Sequence, residues 1–112
     1  MCGRYCLFDT DCLYDRFNIP AKYHIPLSNR YNITPSQLMP VITNDGENRL
    51  RLMRWGLIPR WVKSPSHPRL IINARANTLV DKPTFRPALI SKRCLVPTSG
   101  YFDERSYFHT TI

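Results

Sequence analysis

The sequence predicts a single α+β domain, mainly antiparallel β-sheet with short helices. Its 112 residues are 43% hydrophobic and 12% aromatic, which is enough for one modest hydrophobic core. Two apolar runs joined through an Asp-Gly pair indicate a β-hairpin, and ten prolines keep the regular elements short. We therefore expect one domain over residues 1–112.

The first predicted element is a short helix in the stretch FDTDCLYDRFNIP. Asp9 or Thr10 is placed to cap it, and Leu13 and Phe17 fall on one face at i and i+4. Pro20 limits its extension. The helix is expected to serve the core.

The next elements are strands and connections. Residues 38–43 and 48–55 predict a hairpin, with Trp55 in the core, and residues 60–69 predict a loop. The runs LIIN at 70–73 and CLVP at 94–97 predict two further short strands. Between these two runs the sequence predicts a turn-rich connection with a short helix.

Several classes of protein are excluded by simple features. The chain has no run of eighteen apolar residues and no signal-peptide pattern, so we expect a soluble protein of the bacterial cytosol or nucleoid. In that compartment Cys2, Cys6, Cys12 and Cys94 are expected as thiols, although four cysteines also allow two disulfides. Their spacing fits no zinc motif, and neither a metal nor another cofactor is predicted.

The net charge of +8 is unevenly distributed. Residues 1–47 hold four basic and five acidic groups, whereas residues 48–102 hold eleven basic groups against Asp81. Twelve of the sixteen positive residues are arginine, which suits bidentate contacts with phosphate. This half of the chain is interpreted either as a face that binds a polyanion such as DNA, or as a basic surface without a partner.

Cys2 offers unusual chemistry because only Met1 precedes it. Aminopeptidases generally remove an initiator methionine before a small residue, and the product would carry an α-amine and a thiol on one residue. The reference pKa values, about 7.7–8.0 for the amine and about 8.5 for the thiol, leave a useful fraction of each nucleophilic near neutral pH. An aldehyde, such as the ring-opened sugar of an abasic site in DNA, would form an imine and then a thiazolidine. The alternative is that Cys2 is only a buried small residue in a first strand.

Six motifs resemble those of one family. The runs MCGRY, RYNITPSQ, MRWGLIPRW, LIINARANTL, KPTFRPAL and KRCLVPTSGYF occur in an order and spacing similar to the SOS response-associated peptidase (SRAP) family. Members of that family crosslink themselves to abasic sites in single-stranded DNA. The resemblance covers residues 1 to about 102 and implies a SRAP-like sheet or barrel.

The resemblance implies roles for individual residues. Cys2 matches the nucleophile, exposed by autocatalytic or aminopeptidase removal of Met1, and Asn73 matches an active-site asparagine. The positions that match DNA contacts are Arg4 and Arg75 beside the phosphates, and Asn32, Pro35 and Trp61 along the groove. Each has a structural alternative: Asn73 caps a turn, Arg75 pairs with Asp81, and Trp61 belongs to the core.

The chain departs from the family in two places. Where the family has Gly-aromatic-aromatic-Glu-Trp, this sequence reads GYFDER, so Asp103 takes the place of the glutamate and Glu104 that of the tryptophan. Alternation along a strand prevents both carboxylates from facing the site unless a bulge intervenes. Family members also continue well beyond this length, through a histidine-containing motif. The 112 residues therefore correspond to the N-terminal half of the family domain, and a homodimer or a complementing chain is expected to cover the gap.

Four hypotheses remain open. The leading one is a DNA-repair protein that binds single-stranded DNA and crosslinks abasic sites through Cys2, with Asn73 and Asp103 or Glu104 assisting. Its enzymatic activity, that of an autopeptidase of the hydrolase or lyase class, would be impaired by truncation. The others are a DNA-binding remnant without chemistry, a cysteine peptidase, and a poorly folded remnant.

Overall fold

Strand β1 (Arg4–Leu7) is the centre of the larger sheet. The computed structural model describes residues 2–63 and 69–103, and the backbone of 108–110. β1 pairs antiparallel with β2 (Arg30–Ile33) on one side and with β5 (Gly100–Phe102) on the other. β5 pairs in turn with β6 (Phe108–Thr110), giving the order β2-β1-β5-β6. β1 is central because its residues from Tyr5 onward are buried.

The second sheet is the predicted hairpin. β3 (Leu38–Asn44) pairs with β4 (Asn48–Arg54) in continuous register from Leu38–Arg54 to Asn44–Asn48. Gly46 has φ 102°, a conformation that favours glycine, and its N–H donates to Asn44 Oδ1 at 3.0 Å. The hairpin prediction is confirmed, with a three-residue connection between the strands.

The helices are short, as the prolines predict. A 3₁₀ turn (Thr10–Cys12) leads into α1 (Leu13–Arg16). The predicted apolar face is confirmed, because Leu13 is buried and Phe17 packs against the core. Asp9 occupies the cap position, but its side chain makes no capping hydrogen bond. The remaining helical segments are the 3₁₀ turns Ala21–Tyr23 and Ala76–Thr78, and α2 (Arg86–Ser91).

The two further predicted strands are wrong in extent. Only Ile71 pairs with Leu57, and only Leu95 pairs with Ile42, each as an isolated antiparallel bridge. Proline explains both limits, because Pro59 follows soon after Leu57 and Pro97 follows soon after Leu95, and neither can donate to a ladder.

The chain leaves the hairpin through a tight turn at Gly56. Its φ is 130°, and a Cβ placed there would lie 2.9 Å from Leu70 Cβ. Only glycine fits both the conformation and the close approach. This turn brings residues 70–73, including Asn73, back toward the larger sheet.

Two clusters of buried side chains hold the sheets together. The first joins β1 and its neighbours to β3, and consists of Tyr5, Leu7, Leu13, Ile33 and Met39. The second packs beside the hairpin and consists of Ile19, Ile42 and Leu50. The predicted α+β class is confirmed, although the described strands form two sheets and no closed barrel. No helix in the described ranges is both long and apolar enough to cross a bilayer.

Candidate functional site: an N-terminal cysteine at the edge of an apolar cleft

Cys2 is half-buried just before β1 and is held by a residue distant in sequence. Asn73 Nδ2 donates a hydrogen bond to the backbone carbonyl oxygen of Cys2 at 3.0 Å, across 71 residues. The Cys2 thiol donates to the Arg4 carbonyl oxygen at 3.2 Å. These two contacts fix both the backbone and the sulfur of Cys2. Met1 lies outside the described residues, so its removal stays a prediction.

Cys2 lines a cleft of about 660 Å³ between the two sheets. Aromatic rings of Tyr5, Trp55 and Tyr101 form part of its wall. Trp55 is half-buried and packs against the first cluster, with its ring centroid 5.4 Å from that of Tyr5. Its indole N–H donates to the Ile72 carbonyl oxygen at 3.3 Å. The predicted core residue Trp55 is thus also part of the cleft wall.

The cleft is mainly apolar with cations in its lining. The apolar side chains from the hairpin are Met39, Val41 and Met53, and Arg54 and Lys92 are the basic residues. Arg54 Nη1 donates to the Ser36 carbonyl oxygen at 2.9 Å, which orients the guanidinium group. Such a cleft suits a ligand or chain segment with an apolar body.

The four cysteines are free thiols in different settings. Burial raises the pKa of the Cys6 thiol, and desolvation in the cleft raises the pKa of Cys94. Both thiols are therefore mainly protonated, and poorly nucleophilic, near neutral pH. Cys12 is exposed and donates to the Asp9 carbonyl oxygen at 3.4 Å. Among the four, Cys2 combines partial exposure with a position next to the predicted amine.

Tyr5 is the most strongly shifted group near Cys2. Its burial raises its pKa to about 12, the positive charge of Arg30 opposes the rise, and the nearby Cys2 thiol adds to it. The phenol is 7% exposed and stacks edge-on against Trp55. Tyr5 therefore stays neutral across the physiological range.

We expect Tyr5→Phe to remove a late tyrosine ionisation. Because the folded-state pKa of about 12 lies above the ordinary 10.0, the stabilisation from burying the neutral phenol is complete below pH 10 and is lost as the pH rises toward 12. Difference absorbance of tyrosinate, wild type minus variant, would show this titration. Urea unfolding of the wild type should weaken more steeply above pH 10 than that of the variant. Ionisation of Tyr5 at the ordinary tyrosine pKa would contradict the assignment.

Two of the predicted DNA contacts meet on the larger sheet. Arg4 Nη1 donates to Asn32 Oδ1 at 3.1 Å, and both side chains are exposed. The pairing of β1 with β2, in which Tyr5 lies opposite Ile33, brings them together. Pro35 is half-buried in the turn that follows β2. The structure thus joins Arg4 and Asn32 into one exposed polar pair beside Cys2.

The other two predicted DNA contacts lie elsewhere on the surface. Trp61 is 60% exposed and lines a groove of about 240 Å³ with Pro83, Pro87 and Lys92. Arg75 is exposed next to the Ala76–Thr78 turn, and among the described residues it forms no ion pair with Asp81. Because Lys92 lines both this groove and the cleft of Cys2, the two are adjacent.

The carboxylates are only partly placed. Asp103 follows β5, one residue beyond the pair Arg4–Phe102, so it lies at the same end of the sheet as Cys2. Its side chain is half-buried and makes contacts. Glu104 lies outside the described residues. The choice between the two carboxylates stays a prediction.

Three cleft residues, Tyr5, Arg54 and Lys92, were absent from the predicted site. Arg54 had one available signal, since it ends a predicted strand directly before Trp55. Lys92 follows α2, and Tyr5 lies in a strand that no local pattern marks as facing a site. Their proximity depends on how the two sheets pack.

A half-buried cysteine and an asparagine joined at the edge of two antiparallel sheets define the kind of site to compare with known proteins. A family profile described as SOS response associated peptidase (SRAP) matches residues 1–107. The chain is 44% identical over 110 residues to the abasic site processing protein YoqW of Bacillus subtilis (strain 168), covering 92% of this chain and 47% of that protein. It is 30% identical over 86 residues to the abasic site processing protein HMCES of Xenopus tropicalis, covering 65% of this chain and 26% of that protein.

The chain belongs to the SOS response associated peptidase family, because the family profile covers nearly all of it. A third relative, the abasic site processing protein YMR114C of Saccharomyces cerevisiae, is 36% identical over 75 residues, which are 65% of this chain and 20% of that protein. The chain spans about half the length of the Bacillus relatives that it matches.

Proposed function

We propose that the protein binds single-stranded DNA and captures the aldehyde of an abasic site through the α-amine and thiol of Cys2. The observation that carries the proposal is the hydrogen bond from Asn73 to the Cys2 carbonyl oxygen, which holds the N-terminal residue at an accessible cleft. The names of the relatives, abasic site processing proteins, support the same substrate. The protein would act in the response to DNA damage.

The proposed reaction has three balanced steps. Water first hydrolyses the Met1–Cys2 peptide bond and frees the α-amine. The amine then adds to the aldehyde carbon of the opened sugar and loses water to give an imine. The Cys2 sulfur finally adds to the imine carbon, its proton passes to the nitrogen, and a five-membered thiazolidine results. No oxidant, reductant or metal is needed for any step.

Nearby groups can assist these steps. Asn73 acts as a positioning residue, because it holds the Cys2 backbone and leaves the amine and the thiol to react. A carboxylate from Asp103 or Glu104 would carry protons to and from the carbonyl and imine, which is ordinary general acid–base work. Asp103 is supported by its place at the Cys2 end of β5.

The DNA would follow the exposed polar and aromatic groups around Cys2. Arg4, oriented by Asn32, is placed for a phosphate beside the lesion, and Arg75 offers a second exposed guanidinium. The exposed ring of Trp61 can stack on an unpaired base, a contact that is worth about 1–3 kcal/mol. Pro35 would contact the strand as an apolar wedge in the turn after β2. Single strands suit this surface because their bases are free to stack.

We expect purified protein to form a heat-stable adduct with single-stranded DNA that carries one abasic site. A denaturing gel would show a band shifted by the mass of the protein. The same oligonucleotide without the lesion, or with its aldehyde capped by methoxyamine, should give no such band. Intact-mass spectrometry must first verify that Met1 has been removed. Absence of the band with the processed protein would overturn the covalent proposal.

The basic surface also supports a second candidate, reversible binding of single-stranded DNA without chemistry. It would give binding that weakens steeply with salt, with no shifted band on the gel. A general cysteine peptidase is less well supported, because no histidine lines the cleft among the described residues. His24 lies instead against Tyr14, with ring centroids 3.8 Å apart.

A further inference from the structure

The cleft of Cys2 has the character of an uncovered core. Its walls include Tyr5 and Met39, which belong to the first buried cluster, yet other wall residues are open to solvent. Met53 is 40% exposed and Val96 is 51% exposed. A soluble protein rarely leaves a continuous apolar surface of this kind without a partner.

The neighbouring strand β4 also has an open edge. β4 pairs with β3 along seven residues, and no other described strand pairs with its opposite edge. Its alternate N–H and C=O groups are therefore available to another strand. Leu52 on this strand is 54% exposed, so the edge is apolar as well as unpaired. An unpaired strand beside an apolar cleft is suited to β-strand addition.

The comparison with the relatives identifies what such a surface would accept. The match covers residues 1–107 of this chain but only 47% of YoqW, so more than half of that relative has no counterpart in these 112 residues. We propose that the cleft and the edge of β4 bind a polypeptide equivalent to that uncovered part of the relative. It would add a strand to β4 and place apolar side chains against Met53 and Val96.

Two other occupants fit less well. DNA would bring phosphates against a mainly apolar surface, at a high cost in desolvation. A second copy of this chain would bring another net charge of +8 into contact, which opposes association. Because Cys2 lines the same cleft, the bound polypeptide would also form one wall of the Cys2 pocket. The binding itself does not depend on the proposed crosslinking chemistry.

The test is co-expression of the tagged chain with an untagged segment of YoqW that comprises the part outside the match. We expect a one-to-one complex on size-exclusion chromatography, and protection of β4 amides from hydrogen exchange when the segment is bound. Val96→Glu should weaken the complex by at least about tenfold, because it places a charge in the apolar contact. Val80→Glu is the matched control, since Val80 is 59% exposed and lies outside the cleft.

Each result decides the proposal. If Val96→Glu does not fold, as judged by a circular-dichroism melt, Met53→Glu serves as the second variant. Absence of a complex, equal retention of the segment by Val96→Glu and Val80→Glu, or a stable homodimer in place of the complex would overturn it. No DNA is present in this experiment, so failure of the crosslinking proposal would leave the result unaffected.

Discussion

Cys2→Ser abolishes the heat-stable adduct with abasic DNA, if the thiazolidine proposal is right. The variant keeps the α-amine once Met1 is removed, so it can still form an imine with the sugar aldehyde. It lacks the sulfur that closes the stable ring, and the imine hydrolyses during denaturation. The measurement is the denaturing gel with a single-stranded abasic oligonucleotide.

The imine allows a sharper form of this experiment. Borohydride reduces an imine to a stable secondary amine, so it should restore a shifted band for Cys2→Ser. Cys12→Ser is the matched control, because Cys12 is an exposed thiol outside the cleft and its loss should leave the band unchanged. A full band from Cys2→Ser without borohydride would show that another group carries the adduct.

Asn73→Ala should slow adduct formation by about a hundredfold. The Asn73 amide is the described contact that holds the Cys2 carbonyl oxygen, and a shift of the reacting residue by about 1 Å is enough for a loss of that size. Affinity for the abasic strand should change little, because Asn73 is assigned no contact with phosphate. Single-turnover gels give the rate, and fluorescence anisotropy gives the affinity.

A separate control distinguishes positioning from general loss of structure. Asn77→Ala removes an exposed amide four positions along the same segment and should leave the rate unchanged. The melting temperature of Asn73→Ala should stay within a few degrees of the wild type, since one neutral hydrogen bond contributes about 0.5–1.5 kcal/mol. An equal loss of rate and affinity, or a large drop in melting temperature, would assign Asn73 a structural role instead.

The elements that the sequence predicted well are those with local causes. The hairpin depends on Asp45-Gly46 and on apolar runs that lie next to each other in the chain, and it formed in the predicted place. The contact of Leu13 and Phe17 with the core follows from helical spacing alone. In contrast, β2 was not predicted, because Tyr31 and Asn32 in its middle are exposed and the strand exists only through pairing with β1.

The candidate site could be predicted in part, for a different reason. Cys2 drew attention through its position after Met1, and Asn73 through the resemblance to a family, but no local pattern links two residues so far apart. The cleft depends on the packing of the two sheets, so Arg54 and Lys92 could be placed beside Cys2 only from the structure. The carboxylate that assists the reaction stays a prediction.

The contact between Asn73 and Cys2 also has a consequence for the timing of protein synthesis. During translation the N-terminus leaves the ribosome long before residue 73 does, and the central strand β1 still lacks β5, which ends at Phe102. A nascent chain thus carries its cysteine without the asparagine that orients it. Reactivity toward aldehydes would be acquired late, when nearly the whole polypeptide has been made, which protects the cell from premature adducts on growing chains.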